Sequence, residues 1–170
     1  MNFATRKALF AFMVFALAGV AGWFLLVTDS RESLPLVIFY TLLVINAYPS
    51  IRLFAGIVPQ DNGQHALADI IIFISYLFVA ASLGQPLQFA LCALVLFIIA
   101  AGKYALMLHE IPYPELLQRK LRADLLGAGL CAIALVVMLL GHILEGAWIL
   151  ATVFALSNVY ILGIKPLYRL

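Results

Sequence analysis

The chain has 170 residues, of which 66% are hydrophobic and 11% charged, whereas soluble domains carry about 45–50% apolar and about 25% charged residues. This composition excludes a soluble globular protein. Ten lysines and arginines against eight acidic residues leave a net charge of only +2 without a dense basic run, which excludes nucleic-acid binding as well.

Six apolar stretches are long enough to cross a bilayer, since a helical crossing takes roughly 20 predominantly apolar residues. The sequence therefore predicts an all-α, polytopic membrane bundle of six transmembrane helices in a single domain. The predicted spans cover residues 8–28, 34–59, 66–84, 86–108, 125–140 and 143–164. A longer polar segment at residues 109–124 is expected to lie along the cytoplasmic membrane interface.

The positions of the cations predict the orientation of the bundle. With six spans and both chain ends on one side, nine of the ten lysines and arginines lie on that side and only Arg31 on the other. Lysine and arginine are retained on the cytoplasmic side, so both termini are predicted to be cytoplasmic, in a bacterial-type inner membrane. The nine cations are Arg6, Lys7, Arg52, Lys103, Arg119, Lys120, Arg122, Lys165 and Arg169.

The second predicted span carries several polar side chains around a proline. Asn46, Tyr48 and Arg52 lie close to Pro49 in the sequence. Proline lacks an amide proton, and its ring clashes with the carbonyl group four residues earlier, so we expect a kink at Pro49 that serves as a hinge. Interrupted helices are frequent sites of solute binding in transporters.

Arg52 and Asp69 are predicted to form an ion pair inside the membrane. The two residues are equally far along the chain from the polar turn that joins the second and third spans. On two antiparallel neighbouring helices they would therefore lie at the same depth in the membrane. A lone charge at the centre of a span costs of order 2.5–3.5 kcal/mol, so pairing is the economical arrangement. The pair either clamps the hairpin or takes part in solute or proton movement; alternatively, Arg52 reaches the cytoplasmic headgroups.

The sixth span repeats the Asn-x-Tyr pattern of the second at Asn158 and Tyr160, and both spans run from outside to inside. We therefore predict a polar pocket in the cytoplasmic half of the bundle that binds a small-molecule solute. The residues predicted to line it are Asn46, Tyr48, Arg52, Asp69, Asn158 and Tyr160.

The segment at residues 109–124 predicts a helix that begins at Pro114. Three cations of this helix, Arg119, Lys120 and Arg122, are expected to contact lipid headgroups or a partner protein. Lys103, near the inner end of the fourth span, is expected to extend to the headgroups too. Membrane lipids are thus expected partners, and a partner membrane subunit or a homo-oligomer is compatible with the pattern.

The sequence holds no motif that would bind a metal or a cofactor. Its three histidines do not form an H-E-x-x-H pattern, and a G-x-S-x-G motif and a glycine-rich phosphate loop are lacking. We therefore expect no cofactor and favour a small transport protein, either a solute permease or a substrate-binding membrane component. Two alternatives stay open: a non-catalytic structural or assembly subunit of a larger membrane complex, and a lipid-modifying enzyme acting at the inner interface through residues such as His65, Asp69, Arg52 or His109.

Overall fold

A computed structural model describes residues 2–27, 30–58, 63–108, 113–164 and 167–168. Within these residues six helices are long and apolar enough to cross a membrane, which confirms the prediction of an all-α, multi-pass membrane bundle. The helices are α1 Phe3–Leu26, α2 Ser30–Ile57, α3 Gly63–Ala81, α4 Pro86–Met107, α5 Pro114–Leu139 and α6 Ile143–Asn158, which a π-helical segment Val159–Ile164 continues. The turn predicted at residues 59–62, the start of the predicted interfacial segment at 109–112, and the cations Lys165 and Arg169 lie outside the described residues.

Local sequence signals explain several helix boundaries. Asn2 caps α1, because its side-chain oxygen accepts a hydrogen bond of 2.9 Å from the backbone N–H of Thr5. This cap lies ahead of the predicted start at residue 8 and places Lys7 within the helix. Pro86 and Pro114 begin α4 and α5, where a missing N–H removes no helical hydrogen bond.

The helix predicted from Pro114 does begin at that residue, but it is not a separate element. Residues 114–124 are the first turns of α5, which runs without interruption from Pro114 to Leu139. The sequence between Arg122 and Leu125 contains neither glycine nor proline, so nothing there breaks the helix. The charged residues of this segment therefore lie on the same helix as the fifth span, and the placement of residues 114–124 along the membrane interface stays a prediction.

The six helices form a ring in which chain neighbours are not always spatial neighbours. α1 packs against α2 and α3, α4 against α3 and α5, and α6 against α2 and α5. Within the described helices, α2 and α3 barely touch although they follow each other in the chain. The start of α1, the start of α3 and the end of α4 meet at one end of the bundle. We call this the basic end; it is the end expected to face the cytoplasm.

An aromatic cluster packs where α2, α4 and α6 meet. The ring of Phe39 on α2 lies 4.2 Å from Phe154 on α6 and 5.6 Å from Phe89 on α4, measured between centroids. Phe97 on α4 contacts both Phe39 and Phe154 edge-on. These four rings, which we call the Phe39 cluster, join α2, α4 and α6.

α4 and α5 pack closely at a glycine. A Cβ atom on Gly127 would lie 2.8 Å from the ring of Phe97, so a larger residue does not fit without displacing that ring. Cys131, one turn further along α5, is completely buried. The close contact holds the charged turns of α4 and α5 side by side near the basic end.

α2 continues through both of its prolines, Pro35 and Pro49, and ends at Ile57. Each proline leaves a backbone carbonyl one turn earlier without its usual helical donor. The hinge at Pro49 stays a prediction.

Candidate functional site

A cavity of about 540 Å³ lies in the half of the bundle nearer the basic end. Residues of α1, α2, α3, α4 and α5 form its wall, together with Tyr168. The cavity lies between α2 and α3, and Phe97 of the Phe39 cluster forms part of its wall. Its volume falls in the range of about 300–1,000 Å³ that is typical of small-molecule sites.

One charged group in the wall joins three helices around a single carboxylate. Asp69 on α3 accepts a hydrogen bond of 2.8 Å from the Lys7 ammonium on α1, and its other oxygen accepts one from Lys103 on α4. The Lys103 side chain is only 7% exposed, whereas Lys7 and Asp69 are 41% and 35% exposed. We call these three residues the Asp69 cluster; it carries two positive charges and one negative charge.

A second charged group lies deeper in the protein. Lys120 donates a hydrogen bond of 2.5 Å to Asp124 one turn later on α5, and the two side chains are only 10% and 3% exposed. The second carboxylate oxygen of Asp124, Oδ2, is buried and has no hydrogen-bond partner in the described part of the chain. The two charges of this buried pair balance each other, which offsets part of the cost of removing them from water.

Tyr104 on α4 lies between the two charged groups. The ammonium groups of Lys103 and Lys120 lie 5.8 Å and 5.3 Å from the centroid of its ring, within range of a cation–π attraction. The Tyr104 hydroxyl is 3.4 Å from Ser50 on α2. Tyr104 therefore links the charges of α4 and α5 to α2 across the basic end of the cavity.

Tyr168 closes part of the cavity after the end of the sixth span. It packs against the apolar cluster of Phe54, Tyr104 and Leu117. Burial raises the pKa of the Tyr168 phenol, because the phenolate would lose its hydration. Its hydroxyl makes no hydrogen bond of good geometry among the residues that the structure describes, although Ser50 and Lys120 lie near enough to oppose part of this rise in pKa.

The remaining wall is largely aromatic and aliphatic. Phe15 on α1 stacks on Tyr76 of α3 with 4.2 Å between centroids, and Phe73 lies 5.1 Å from Phe15. All three residues line the cavity, and we call them the aromatic wall. The cavity thus offers charged groups and an apolar surface to one occupant.

The predicted ion pair between Arg52 and Asp69 is wrong. Asp69 pairs with Lys7 and Lys103, and Arg52 has an exposed side chain outside the described wall of the cavity. The physical reason is that the cavity separates α2 from α3, so reflection about their turn does not bring these two residues together.

Of the six residues predicted to line a pocket, the described wall includes Asn46 and Asp69 and leaves out the other four. Tyr48 contacts Phe12 of α1 edge-on at 6.1 Å. Asn158 is buried and donates to the backbone oxygen of Phe154 at 2.9 Å, and Tyr160 is exposed. α6 therefore supports the bundle without supplying polar residues to the described wall of the cavity.

Lys120 does not contact headgroups as predicted, because its side chain turns into the cavity wall and pairs with Asp124. The expectation that Lys103 extends to the headgroups is wrong for the same reason, since it is buried against Asp69. Arg119 and Arg122 are exposed, and their contact with lipid or a partner stays a prediction. The i, i+4 spacing of Lys120 and Asp124 was the one signal in the sequence that could have revealed this buried pair.

No group of three or more His, Cys, Asp or Glu side chains that could hold a metal ion occurs among the described residues. Comparison of the chain with protein-family models, with curated proteins and with solved structures finds no match. The described wall of the cavity offers ammonium donors, two carboxylates, tyrosine hydroxyls and aromatic rings, a set suited to binding an organic molecule.

Proposed function

We propose that this multi-pass membrane protein is a small transport protein, a solute permease or a substrate-binding membrane component, and that its binding site is the cavity walled by α1 to α5 and Tyr168. The observation that carries the proposal is the cavity itself, about 540 Å³ in volume and lined by two lysine–aspartate groups. The proposed setting is a bacterial-type cytoplasmic membrane, with the basic end inside.

The energetic cost of the cavity favours binding over a purely structural function. A void forfeits the dispersion contacts that a packed interior provides. Buried ion pairs such as Lys120 with Asp124 are often no more stabilising than apolar residues of similar volume. A subunit that served only assembly would gain stability from a filled, apolar interior, so retention of both features supports a ligand site.

The positions of the cavity and of the Phe39 cluster support a transport function that opens toward the basic end. Lys7 and Asp69, at the edge of the cavity, are partly exposed. The rings of Phe39, Phe97 and Phe154 pack against one another where α2, α4 and α6 meet. We propose that this arrangement is the inward-facing state of an alternating-access cycle, in which the site is open to one side at a time.

The test uses a substitution that fills the cavity and a matched one that does not. Ala100 on α4 lines the cavity, whereas Ala105 on the same helix is exposed at the bundle surface. Wild-type protein, Ala100→Phe and Ala105→Phe are purified in mild detergent, and small molecules released on denaturation are identified by mass spectrometry. We expect a compound to be retained by wild type and Ala105→Phe and to be lost from Ala100→Phe.

The retained compound is then loaded into proteoliposomes, and its flux is measured with the same three proteins. Flux by wild type and Ala105→Phe, but not by Ala100→Phe, is the expected result. Equal flux and equal retention in all three, or no retained compound in any, contradicts the proposal. Chemically altered lipid in the wild-type liposomes would instead identify the protein as a lipid-modifying enzyme.

A further inference from the structure

We infer that the cavity binds an amphiphilic organic anion, whose carboxylate- or phosphate-type group sits beside Lys103 and Lys7 while its apolar body lies against the aromatic wall. The inference rests on the proposed function, because it names the ligand class of the same site. Three features carry it: the charge balance of the wall, the unequal distribution of that charge, and the position of the aromatic rings.

The described wall of the cavity carries more positive than negative charge. Three lysines, Lys7, Lys103 and Lys120, face two aspartates, Asp69 and Asp124. His65 also lines the cavity and adds no negative charge in either protonation state. An unbalanced charge in poorly hydrated surroundings exerts a strong field and attracts a counter-ion, so the wall favours an anion over a cation or a neutral solute.

The excess charge lies at the Asp69 cluster. Lys120 and Asp124 pair one to one, whereas Asp69 is shared by two ammonium groups. Lys7 is well exposed and can be hydrated, but Lys103 is almost completely buried. An ammonium group has three donors, and in the described structure Lys103 uses one of them on Asp69. An oxyanion beside Lys103 would accept a charge-assisted hydrogen bond from a remaining donor.

Two other polar residues of the wall, Asp124 and Asn46, do not suit a second anion. Asp124 Oδ2 and the side-chain oxygen of Asn46 are both buried acceptors without a partner in the described structure. Placing an oxyanion next to them would add repulsion and would leave both acceptors unsatisfied. The ligand is therefore expected to carry its anionic group at one end only.

The aromatic wall explains why the anion should be amphiphilic. The stacked pair of Phe15 and Tyr76, together with Phe73, presents apolar ring surface to the same cavity that contains Lys103. An inorganic anion would fill a small part of about 540 Å³ and would leave these rings uncovered. An apolar body of the size of an aryl or acyl group gains roughly 25 cal/mol for each Å² of apolar surface it removes from water.

The same ligand chemistry is supplied by two sources. An anionic lipid or fatty acid would reach the cavity from the membrane, and a soluble aryl or alkyl acid would reach it from the aqueous phase at the basic end. The experiment therefore uses a soluble probe series and adds a lipid competitor as a separate arm.

The probe series keeps the apolar body constant and changes only the charge. Binding of 4-phenylbutyrate, 4-phenylbutanol and 4-phenylbutylamine is measured calorimetrically with the full chain in nanodiscs of zwitterionic lipid. We expect the acid to bind about tenfold or more tightly than the alcohol and the amine, because a hydrogen bond to a charged group contributes about that factor.

A separate competition experiment adds oleate or phosphatidylglycerol to the nanodisc. If the lipid displaces phenylbutyrate, the natural ligand comes from the membrane; if it does not, the ligand comes from the aqueous phase.

Two variants of Lys103 test the assignment of the anion site. Lys103→Gln is expected to lower the affinity for phenylbutyrate about tenfold and to leave that for the alcohol nearly unchanged, and Lys103→Arg should keep the preference for the acid. Arg52→Gln serves as the matched control, because Arg52 is an exposed cation outside the described wall of the cavity. Equal affinity for the acid in wild type and Lys103→Gln would overturn the inference.

The outcome also separates this inference from the proposed function. If the alcohol or the amine binds as tightly as the acid, and Ala100→Phe abolishes that binding, the cavity is a ligand site and the charge preference is wrong. If none of the three probes binds while a retained compound is transported, the ligand class is again wrong. If no probe binds and no compound is retained or transported, both proposals fail.

Discussion

Lys103 on α4 donates a hydrogen bond to Asp69 on α3, and this contact, with a second from Lys7 on α1, replaces the ion pair expected between Arg52 and Asp69. Three helices thereby meet at one carboxylate near the basic end of the bundle. Loss of the carboxylate would leave two ammonium groups facing each other, one of them buried.

Asp69→Asn is expected to destabilise the protein by about 1–3 kcal/mol. Breaking a fully buried ion pair costs about 3–5 kcal/mol. We expect a smaller loss of about 1–3 kcal/mol for Asp69→Asn, because the Asp69 side chain is about one third exposed and water screens its charge. The measurement is the unfolding free energy in detergent, and the control is Arg52→Gln, expected to change it by less than about 0.5 kcal/mol. A loss for Arg52→Gln as large as that for Asp69→Asn would restore the discarded ion pair.

The buried pair on α5 allows a double-mutant cycle. Lys120→Met alone is expected to cost about 3–5 kcal/mol, because it leaves the Asp124 carboxylate buried without its cation. The double variant Lys120→Met with Asp124→Leu should recover most of that loss, since both charges are then removed. Additive losses in the double variant would show that the two side chains do not interact.

Gly127 and Gly129 form a matched test of the contact between α4 and α5. Gly127→Ala is expected to lower stability by about 1–3 kcal/mol, because the added Cβ would lie 2.8 Å from the ring of Phe97. Gly129→Ala should leave stability unchanged or slightly raise it, since nothing lies within 4 Å of a Cβ there and alanine favours the helix. Thermal unfolding in detergent distinguishes the two, and equal effects would refute the close contact.

The phenol of Tyr168 predicts a dependence of stability on alkaline pH. Its pKa is raised in the folded protein, so the folded state holds the proton more tightly than the unfolded chain, whose pKa is near 10.0. The stabilisation is complete below pH 10 and is lost as the pH rises through the raised folded value. Tyr168→Phe cannot ionise, so its free energy of unfolding should fall less than that of wild type as the pH is raised above 10.0.

At neutral pH, Tyr168→Phe is expected to be at least as stable as wild type. The substitution removes a buried hydroxyl that makes no hydrogen bond of good geometry in the described structure and retains the ring that packs on Phe54 and Tyr104. A clear loss of stability at pH 7, or parallel pH profiles for the two proteins, would contradict the assigned environment of the phenol.

The six crossings could be predicted from the sequence because the length and hydropathy of a span are local properties. The extent of α5 was harder to predict, since the charges at Lys120 and Asp124 suggested an interfacial segment rather than the interior of a bundle. Those charges are compatible with a span only because they pair with each other one helical turn apart, and the pairing depends on how far α5 is rotated toward its neighbours.

The partners of Asp69 could not be predicted, because they depend on the order of helices around the ring. Consecutive spans usually pack together, and that rule placed Asp69 opposite Arg52. In the structure α3 lies between α1 and α4 and is separated from α2 by the cavity. A lysine near the end of a span, such as Lys103, can either extend to the interface or point into the bundle. Which of the two occurs depends on how α4 is rotated about its own axis, and the sequence does not reveal that rotation.

The position of Phe39 has a consequence for how the far side of the bundle could open. Its ring packs against rings from α4 and α6, and in α2 it lies between Pro35 and Pro49. Helical hydrogen bonding is weakened at both prolines, so the piece of α2 between them can tilt with less distortion than the whole helix. Under the proposed transport function, such a tilt would move the Phe39 ring away from its partners on α4 and α6 without separating the six helices of the ring.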